Sequence, residues 1–252
     1  MYKRQERIHG HMVLETHGFA DAHAHVSERG FSDRYPDFDR AVIVFGCTAR
    51  PSEWDAMAAC AVPGTVRFYG VHPWYADEWE EASAGRLESI LEEDPRANVG
   101  EIGLDGKRGD PPLQRPAFES QLDLASGFGR IANVHMVGCE RDVLECVRRH
   151  AEGCRAVVLH SFSSESYVKP FAEVGCMFSV NPRILARSES RIARLLRSVP
   201  EDRLLLETDA PYLAREFSGM TGFADRLAGI LGTTGEELMR LPLDNARRIA
   251  DV

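Results

Sequence analysis

The stretch Val99-Gly-Glu-Ile-Gly-Leu-Asp105 is an apolar run that places a carboxylate between two glycines. Other short apolar runs along the chain also end in a histidine, glutamate or aspartate. A parallel barrel builds its active site at the carboxyl ends of its strands, so this repetition predicts a polar cluster at one end of a barrel. The other runs are Phe19-Ala-Asp-Ala-His-Ala-His25, Ile131-Ala-Asn-Val-His135, Val157-Val-Leu-His160 and Leu204-Leu-Leu-Glu-Thr-Asp-Ala-Pro211.

Strand-like segments alternate with amphipathic segments throughout the chain of 252 residues. Continuous apolar runs such as Ala41-Val-Ile-Val-Phe45 are typical of parallel strands buried on both faces. The alternation predicts an α/β fold, either a single-domain TIM (β/α)8-type barrel, regular or distorted, or a doubly wound sheet. Strands are predicted near residues 19–25, 41–47, 65–72, 97–103, 131–136, 156–160, 176–180 and 203–208.

Helices are predicted wherever apolar residues recur at helical spacing between those strands. We expect residues 19–252 to form the barrel, preceded by a polar arm or short hairpin over residues 1–18. The predicted helices span 81–93, 116–128, 141–150, 189–197, 221–231 and 236–250.

Composition limits the possible functions. Apolar residues make up 44% of the chain, enough for a sizeable core. The net charge of −9 (30 basic against 39 acidic residues) gives no overall field that would attract nucleic acid. The six cysteines form no CxxC pair, which favours reduced thiols and a cytoplasmic protein. No signal peptide or membrane span is predicted, because the longest apolar runs have about seven residues.

His23 and His25 lie two residues apart on a predicted strand. Alternating side chains should place them on the same side, together with Asp21, where two imidazoles can chelate one cation. Glu101 is costly to bury unless it is paired or bound to a metal, and its flanking glycines would allow close approach of backbone to a ligand.

Four further candidates close the later strands. A single histidine in such a place is usually a hydrogen-bonded core residue, but two on consecutive strands favour a shared site. The nitrogen and oxygen donors suit one or two divalent ions, Zn²⁺, Mn²⁺ or Mg²⁺, and two ions would use all the donors with Glu101 as the bridge. These candidates are His135, His160, Glu207 and Asp209, of which the last two are expected to share a face of the final strand.

These segments resemble the TatD-type metal-dependent hydrolases, which are related to the amidohydrolase superfamily. The resemblance runs from about residue 19 to residue 250, and its most specific parts are Gly100-Glu-Ile-Gly-Leu-Asp105 and Glu207-Thr-Asp-Ala-Pro211. It implies a TIM barrel, a centre of one or two metals, and hydrolysis of phosphodiesters, as by a DNase or exonuclease acting at DNA ends. The metal ligands it implies are His23, His25, Glu101, His135, His160 and Asp209.

We assign roles within that expected centre. His23, His25 and Asp209 hold one metal with Glu101, and His135 and His160 hold the second with the same Glu101. Asp209 acts as the general base. His72, in the segment Gly70-Val-His-Pro73, binds a phosphoryl oxygen or stabilises the leaving group, and Glu207 orients a ligand.

Two departures from the family pattern concern the substrate. Aromatic residues often follow the glutamate strand in the family, but Gly106-Lys-Arg-Gly-Asp-Pro-Pro112 follows it here. An HxR pattern is also common after the fifth strand, but Met136-Val137 follows His135, which removes one phosphate contact. Lys107 and Arg108 either replace that contact or form an ordinary solvated loop. The aromatic residues Trp74, Tyr75 and Tyr212 either stack on a base or pack under the loops.

Two alternative functions remain open at this point. The same centre would suit an amidohydrolase-type enzyme that cleaves an amide, lactone or small-molecule ester. Many such enzymes bridge their metals with a modified lysine on the fourth strand, where this chain has Glu101. A third reading is a metal-binding barrel that serves only as a partner-binding protein. The sequence does not fix the oligomeric state.

Overall fold

The computed structural model describes residues 18–35, 37–213 and 219–251. Eight parallel strands form one sheet in the order of the sequence within these ranges. The strands are β1 Phe19–Ala24, β2 Ala41–Gly46, β3 Thr65–Tyr69, β4 Asn98–Asp105, β5 Ile131–Val137, β6 Ala156–Leu159, β7 Met177–Val180 and β8 Leu204–Leu206.

The sheet curls into a nearly closed barrel. Backbone contacts just beyond β8 complete it, because His25 N donates to Ala210 O at 2.7 Å and Asp209 N donates to His23 O at 3.0 Å. An isolated parallel bridge joins Ala24 to Ala210 at the same place. The predicted TIM-type barrel is therefore confirmed. Of the arm or hairpin predicted over residues 1–18, residues 1–17 lie outside the described residues.

Helices lie between the strands and cover the outside of the barrel. The described residues form α1 Phe31–Arg34, α2 Trp54–Ala58, α3 Glu81–Glu93, α4 Pro111–Gly127, α5 Glu140–His150, α6 Val168–Glu173, α7 Glu189–Ser198, α8 Gly219–Leu231 and α9 Gly235–Ala250. The sequence predicts α3, α5, α7, α8 and α9 to within two residues at each end. No helix in these ranges is long and apolar enough to cross a membrane.

The core has two parts, one on each side of the sheet wall. Between sheet and helices, Leu87 and Leu91 of α3 are fully buried against the strands. Inside the barrel, Phe45, Phe68 and Leu205 belong to a smaller buried cluster that also includes residues of α9. Burial of these side chains stabilises the lower barrel, and the polar residues of the site lie above it at the carboxyl ends of the strands.

A register shift in the β4–β5 pair determines how Glu101 is placed. Gly100 pairs with Asn133 and Ile102 with Val134, so Glu101 is an extra residue in β4. Its amide donates to Thr48 O at 2.9 Å instead of following the ladder. An extra residue of this kind re-aims a side chain, and here it directs a carboxylate to the barrel mouth.

Candidate metal centre

The candidate residues meet in one cleft at the carboxyl ends of the strands. The cleft has a volume of about 620 Å³ and is lined by histidines, carboxylates and a few cationic and aromatic side chains. This is where a TIM barrel places its chemistry. The ionisable and aromatic residues that line it are His25, His72, Trp74, Tyr75, Glu101, Asp105, Lys107, Arg108, His135, His160, Arg183, Asp209 and Tyr212.

Glu101 lies at the centre, and its two oxygens face different groups of histidines. Oε2 lies 3.4 Å from His23 Nε2 and 3.7 Å from His25 Nε2. Oε1 faces three other imidazole nitrogens, His135 Nδ1 at 2.8 Å, His72 Nε2 at 3.4 Å and His160 Nε2 at 3.7 Å. Burial alone would raise the pKa of Glu101, but the imidazoles of His72 and His23 outweigh it and hold the pKa well below 4.5.

His23 is held so that one nitrogen faces this carboxylate. The amide Nδ2 of Asn133 donates to Ala22 O at 3.0 Å, which leaves Asn133 Oδ1 as the acceptor for His23 Nδ1 at 2.9 Å. The proton of a neutral His23 therefore lies on Nδ1, and Nε2 presents a lone pair to Glu101 Oε2. Such an arrangement orients a metal-ligating imidazole. Since His23 Nε2 and Glu101 Oε2 are both acceptors, a positive charge must lie between them.

The pKa of His23 also indicates a preference for positive charge between His23 and Glu101. Burial disfavours a charged His23, but the neighbouring Cys47 and Glu101 outweigh it and raise its pKa well above 6.5. A divalent cation held between the two side chains would satisfy the same preference for positive charge. Burial and the adjacent His23 lower the pKa of His25 to about 3, so its nitrogen is free to bind a cation.

Asp209 completes this side of the cluster. Its Oδ1 lies 3.8 Å from His25 Nε2 and 4.0 Å from His23 Nε2. Burial raises its pKa to about 6. Asp209 adopts a positive φ of 54°, and β8 already ends at Leu206, so Glu207 and Asp209 do not share a strand face as the alternation predicted.

His135 and His72 form the other side. His135 Nδ1 lies 3.2 Å from His72 Nε2, and His135 Nε2 lies 3.3 Å from Asp105 Oδ2. Burial lowers the pKa of His135, but its hydrogen bonds with Asp105 and Glu101 raise it to about 9. His72, Glu101 and His135 offer donor atoms close enough to hold an ion together. The structure therefore places His72 among the possible ligands, whereas the sequence predicted a contact with substrate.

His160 lies between the two sides. Its ring stacks on His23 with centroids 3.7 Å apart, and it forms a further possible ligand group with His23 and Asp209. Its Nδ1 lies 2.8 Å from Glu207 Oε1, so Nε2 points toward the cluster. Glu207 is fully buried, and although burial alone would raise its pKa, the adjacent His160 lowers it. The predicted orienting role of Glu207 fits this placement.

Asp21 lies outside the cluster, contrary to the prediction from alternation. Its Oδ2 accepts from Tyr35 Oη at 2.7 Å and from Thr208 Oγ1 at 2.5 Å. Ala20 and Ala22 pack inside the barrel, and the β1 register shifts between Asp21 and Ala24. The shift breaks the simple two-residue period, so Asp21 braces the strand ends while His23 points to Glu101.

The loop after β4 carries Lys107 and Arg108 to the rim of the cleft. Their amides donate to Asp105 Oδ1 at 2.8 and 3.1 Å, and the Arg108 guanidinium lies 3.8 Å from the ring centroid of Trp74. Trp74 Nε1 in turn donates to Asp105 Oδ2 at 2.6 Å. Asp105 thus fixes both the cationic loop and the indole beside it.

The six predicted ligands lie together in the described structure, and their nitrogen and oxygen donors fit a divalent metal. The sequence analysis gave no role to Asp105 or Asn133, although a signal was present. Asp105 shares the alternating face of Glu101 on β4, and Asn133 that of His135 on β5. The glycines near Glu101 also act differently from the prediction, since a Cβ at Gly103 would lie 2.0 Å from His135 O. Gly103 allows β5, rather than a ligand, to approach.

The comparisons with known proteins point to one family. The family model described as TatD related DNase matches residues 20–251. The chain is 31% identical over 216 residues to an uncharacterised metal-dependent hydrolase TatD of Mycobacterium tuberculosis, covering 79% of this chain and 78% of that protein. It is 35% identical over 148 residues to a protein of Edwardsiella piscicida named 3'-5' ssDNA/RNA exonuclease TatD, covering 57% of each.

Solved structures support the fold. The TatD homologue YJJV of Escherichia coli K12 superposes with a TM-score of 0.79 at 23% identity, over 93% of this chain and 98% of that one. A TatD family hydrolase of Entamoeba histolytica gives 0.78 at 16% identity, over 92% and 97%. The family match spans nearly the whole barrel, including every predicted ligand. The chain therefore belongs to the TatD-related DNase family of metal-dependent hydrolases.

Proposed function

We propose that this protein hydrolyses phosphodiester bonds of nucleic acid strands at a centre where Glu101 and the surrounding histidines would hold two divalent cations. The observation that carries the proposal is the division of that carboxylate between two groups of imidazoles. Oε2 faces His23 and His25, and Oε1 faces His135, His72 and His160. Paired cations are a recurring arrangement in phosphatases and nucleases.

Several residues of this chain have separate roles around the reacting phosphorus. When bound, the cations lower the pKa of coordinated water toward about 7 and stabilise charge on the phosphoryl oxygens. Asp209 accepts the proton of the attacking water at its carboxylate, and burial raises its pKa to about 6, near the range useful for a general base. Glu207 Oε1 lies 2.8 Å from His160 Nδ1, and Asn133 Oδ1 accepts from His23 Nδ1 at 2.9 Å, so each would orient an imidazole toward the cluster.

His72 takes a different part in this proposal from the one the sequence predicted. Its Nδ1 accepts from Trp74 N at 3.1 Å, so its ring is oriented by its own loop, and Nε2 faces Glu101. A neutral His72 with this bond carries its proton on Nε2, so Nε2 faces Glu101 Oε1 as a donor and becomes a ligand on the Oε1 side only in the other tautomer. His135 Nε2 lies 3.3 Å from Asp105 Oδ2, on the side of the ring away from Glu101. His23, His25 and Asp209 remain our assignment for the Oε2 side, with His160 shared between the two.

The nucleic-acid substrate is supported by the family description and by the exonuclease name of the Edwardsiella piscicida relative. The mixed nitrogen and oxygen donors favour Zn²⁺ or Mn²⁺, with Mg²⁺ less suited to so many imidazoles. We place the protein in the cytoplasm, because all six cysteines lie among the described residues as free thiols.

The test compares substrates on the metal-loaded protein. Bis-p-nitrophenyl phosphate and a single-stranded oligonucleotide should be hydrolysed after addition of Zn²⁺ or Mn²⁺ and not after chelation. Ester, lactone and amide substrates should give at most a small fraction of that rate. Faster cleavage of a lactone or amide than of either phosphodiester would instead support the amidohydrolase alternative. Binding of metal without hydrolysis of any substrate would support the partner-binding alternative.

A further inference from the structure

A second cavity of about 430 Å³ adjoins the metal cleft. It lies over the loops that follow β5, β6 and β7, and we call it the side groove. Its wall is continuous with that of the metal cleft, because the same side chains line both cavities. The shared residues are Lys107, Met136, Val137, Ser161 and Arg183. A strand held at the metal cleft can therefore continue into the side groove.

The side groove is cationic although the chain as a whole is acidic. Lys107, Arg183 and Arg187 line it, and Glu140 is the one carboxylate among its described lining residues. No described residue provides an ion-pair or hydrogen-bond partner for the ammonium of Lys107 or the guanidinium of Arg183. Arg187 Nη1 donates to Ser163 O at 2.6 Å, so its positive charge is not neutralised by that contact.

Glu140 does not cancel these charges. Its Oε1 accepts from Ser164 Oγ at 2.5 Å, and it lies in the first turn of α5. A carboxylate at a helix N-terminus interacts favourably with the helix dipole, so it is partly satisfied by its own element. Three cations against one carboxylate leave the side groove with a net positive charge that attracts an anion.

Arg183 is fixed relative to the metal centre by a short hydrogen-bond network. Asn181 Oδ1 accepts from Arg183 N at 3.1 Å, and Asn181 Nδ2 donates to Ser161 Oγ at 2.8 Å and to Glu207 Oε1 at 3.2 Å. The same Glu207 oxygen lies against His160. One buried carboxylate thus positions both a possible metal ligand and the backbone of the exposed arginine.

We propose that the side groove binds the phosphate next to the scissile one in a single-stranded nucleic acid substrate, with Arg183 and Lys107 as its direct contacts. The proposal rests on the function proposed above and names the part of the substrate that the metal cleft does not hold. Val137 lines the same wall without charge, and the positive charge there comes from the loops after β4 and β7, which carry Lys107 and Arg183. Guanidinium and ammonium groups are the usual contacts for phosphate.

Binding of a fluorescein-labelled single-stranded oligonucleotide tests this, measured by anisotropy in EDTA so that no turnover occurs. Arg183→Ala should weaken binding about tenfold, and the slope of log K against log salt should fall by about 0.7 for the lost contact. Arg183→Lys should restore most of the slope. With metal present, Arg183→Ala should lower the rate of oligonucleotide hydrolysis about tenfold more than the rate for bis-p-nitrophenyl phosphate, which has no neighbouring phosphate.

Arg191→Ala is the matched control, because it removes an equal charge from an exposed residue that lines neither cavity. It should leave the salt slope unchanged. Equal binding and equal slope for wild type and Arg183→Ala would overturn the proposal, as would an equal loss of bis-p-nitrophenyl phosphate hydrolysis. Failure of the proposed function would appear separately, as a wild-type protein that cleaves neither phosphodiester with metal.

Discussion

Asp209 is the residue at which a single substitution tests the proposed chemistry most directly. Asp209→Asn keeps the shape of the side chain but removes the negative charge and most of its basicity. We expect kcat for bis-p-nitrophenyl phosphate to fall by roughly 10²–10⁴, the usual contribution of a general base. Because the same carboxylate faces His25 and His23, metal content is measured on each sample by elemental analysis.

Asp244→Asn is the control for that substitution, since Asp244 is exposed on α9 and pairs with Arg247. It should retain wild-type kcat and metal content. A fully loaded Asp209→Asn protein with near wild-type kcat would exclude Asp209 as the base. A protein that regains its rate at high metal concentration would show a ligand role alone.

We expect Asn133 to affect a bound metal through His23 and not through the substrate. Asn133→Ala removes the acceptor for His23 Nδ1, which frees the ring to rotate. Loss of such an orienting contact typically weakens metal affinity by about 10–100-fold. We expect that loss in a competition titration with a chromogenic chelator, with kcat largely recovered at saturating metal.

Asn98→Ala provides the comparison for stability. Asn98 is also a buried strand asparagine, and its Oδ1 accepts from Ile131 N at 2.9 Å, far from the cluster along the barrel. Its removal should lower stability while leaving metal affinity unchanged. Equal metal affinities for Asn133→Ala and wild type would refute the orienting role.

At the scale of elements, the close packing of β4 on β5 depends on Gly103. It has a φ of 144°, and an added Cβ would overlap the carbonyl oxygen of His135 at 2.0 Å. Gly103→Ala should therefore cost about 3 kcal/mol or more in free energy of unfolding, through backbone strain and overpacking. It should also weaken metal binding, because the clash moves the backbone that carries His135.

Gly85→Ala is the same chemical change as Gly103→Ala, but we expect it to stabilise the protein. Gly85 lies inside α3, and an added Cβ would have no described atom within 4 Å beyond its chain neighbours and the backbone of its own helix. Alanine is favoured over glycine in a helix interior by up to about 1 kcal/mol, so unfolding should require slightly more denaturant. Urea melts of both variants check the pair, and similar shifts for the two would contradict this account of Gly103.

The strands could be predicted because continuous apolar runs are a strong signal, and all eight lie where the sequence indicated. The short helices α1, α2 and α6 have only four to six residues, too few to show a helical period. Helix α4 begins at Pro111 and not at Pro116, because Asp110 precedes it as the N-cap and proline is tolerated in the first turn.

The site could be predicted as a set of residues but not as a geometry. The strand ends indicated which side chains meet, since parallel strands present their carboxyl ends together. They did not indicate the register shifts at Glu101 and near Asp21, which depend on the pairing of neighbouring strands. Nor could they place His72 among the ligands, because its position depends on the 3₁₀ turn Pro73–Glu78 that it caps.

At the scale of the whole molecule, charge is distributed unevenly. The chain carries a net charge of −9, yet the cationic residues Lys107, Arg108 and Arg183 gather at the cleft. Local cations can therefore hold an anionic strand that the overall field would repel, and binding should weaken steeply with salt. The acidic composition limited the sequence-based inference about nucleic acid, because composition averages over the surface.

Metal binding should also stabilise the whole barrel, because its donors come from β1, β4 and β5 and from residues just beyond β3, β6 and β8. At a metal concentration about a hundredfold above Kd, the gain is about 2.7 kcal/mol. For a domain of this size that corresponds to a rise in Tm of roughly 5–10 °C. Thermal melts with saturating Zn²⁺ and with EDTA check this. Equal Tm values in the two conditions would contradict the prediction.

The central claim is that Glu101 joins two cations in a phosphodiester-cleaving centre. The most direct measurement is the number of metal ions bound per chain, taken together with the rate of oligonucleotide hydrolysis, in wild type and Glu101→Gln. We expect two ions and metal-dependent cleavage for wild type. Glu101→Gln should lose at least one ion and nearly all activity. Unchanged ion content and cleavage in Glu101→Gln would rule out this role of Glu101.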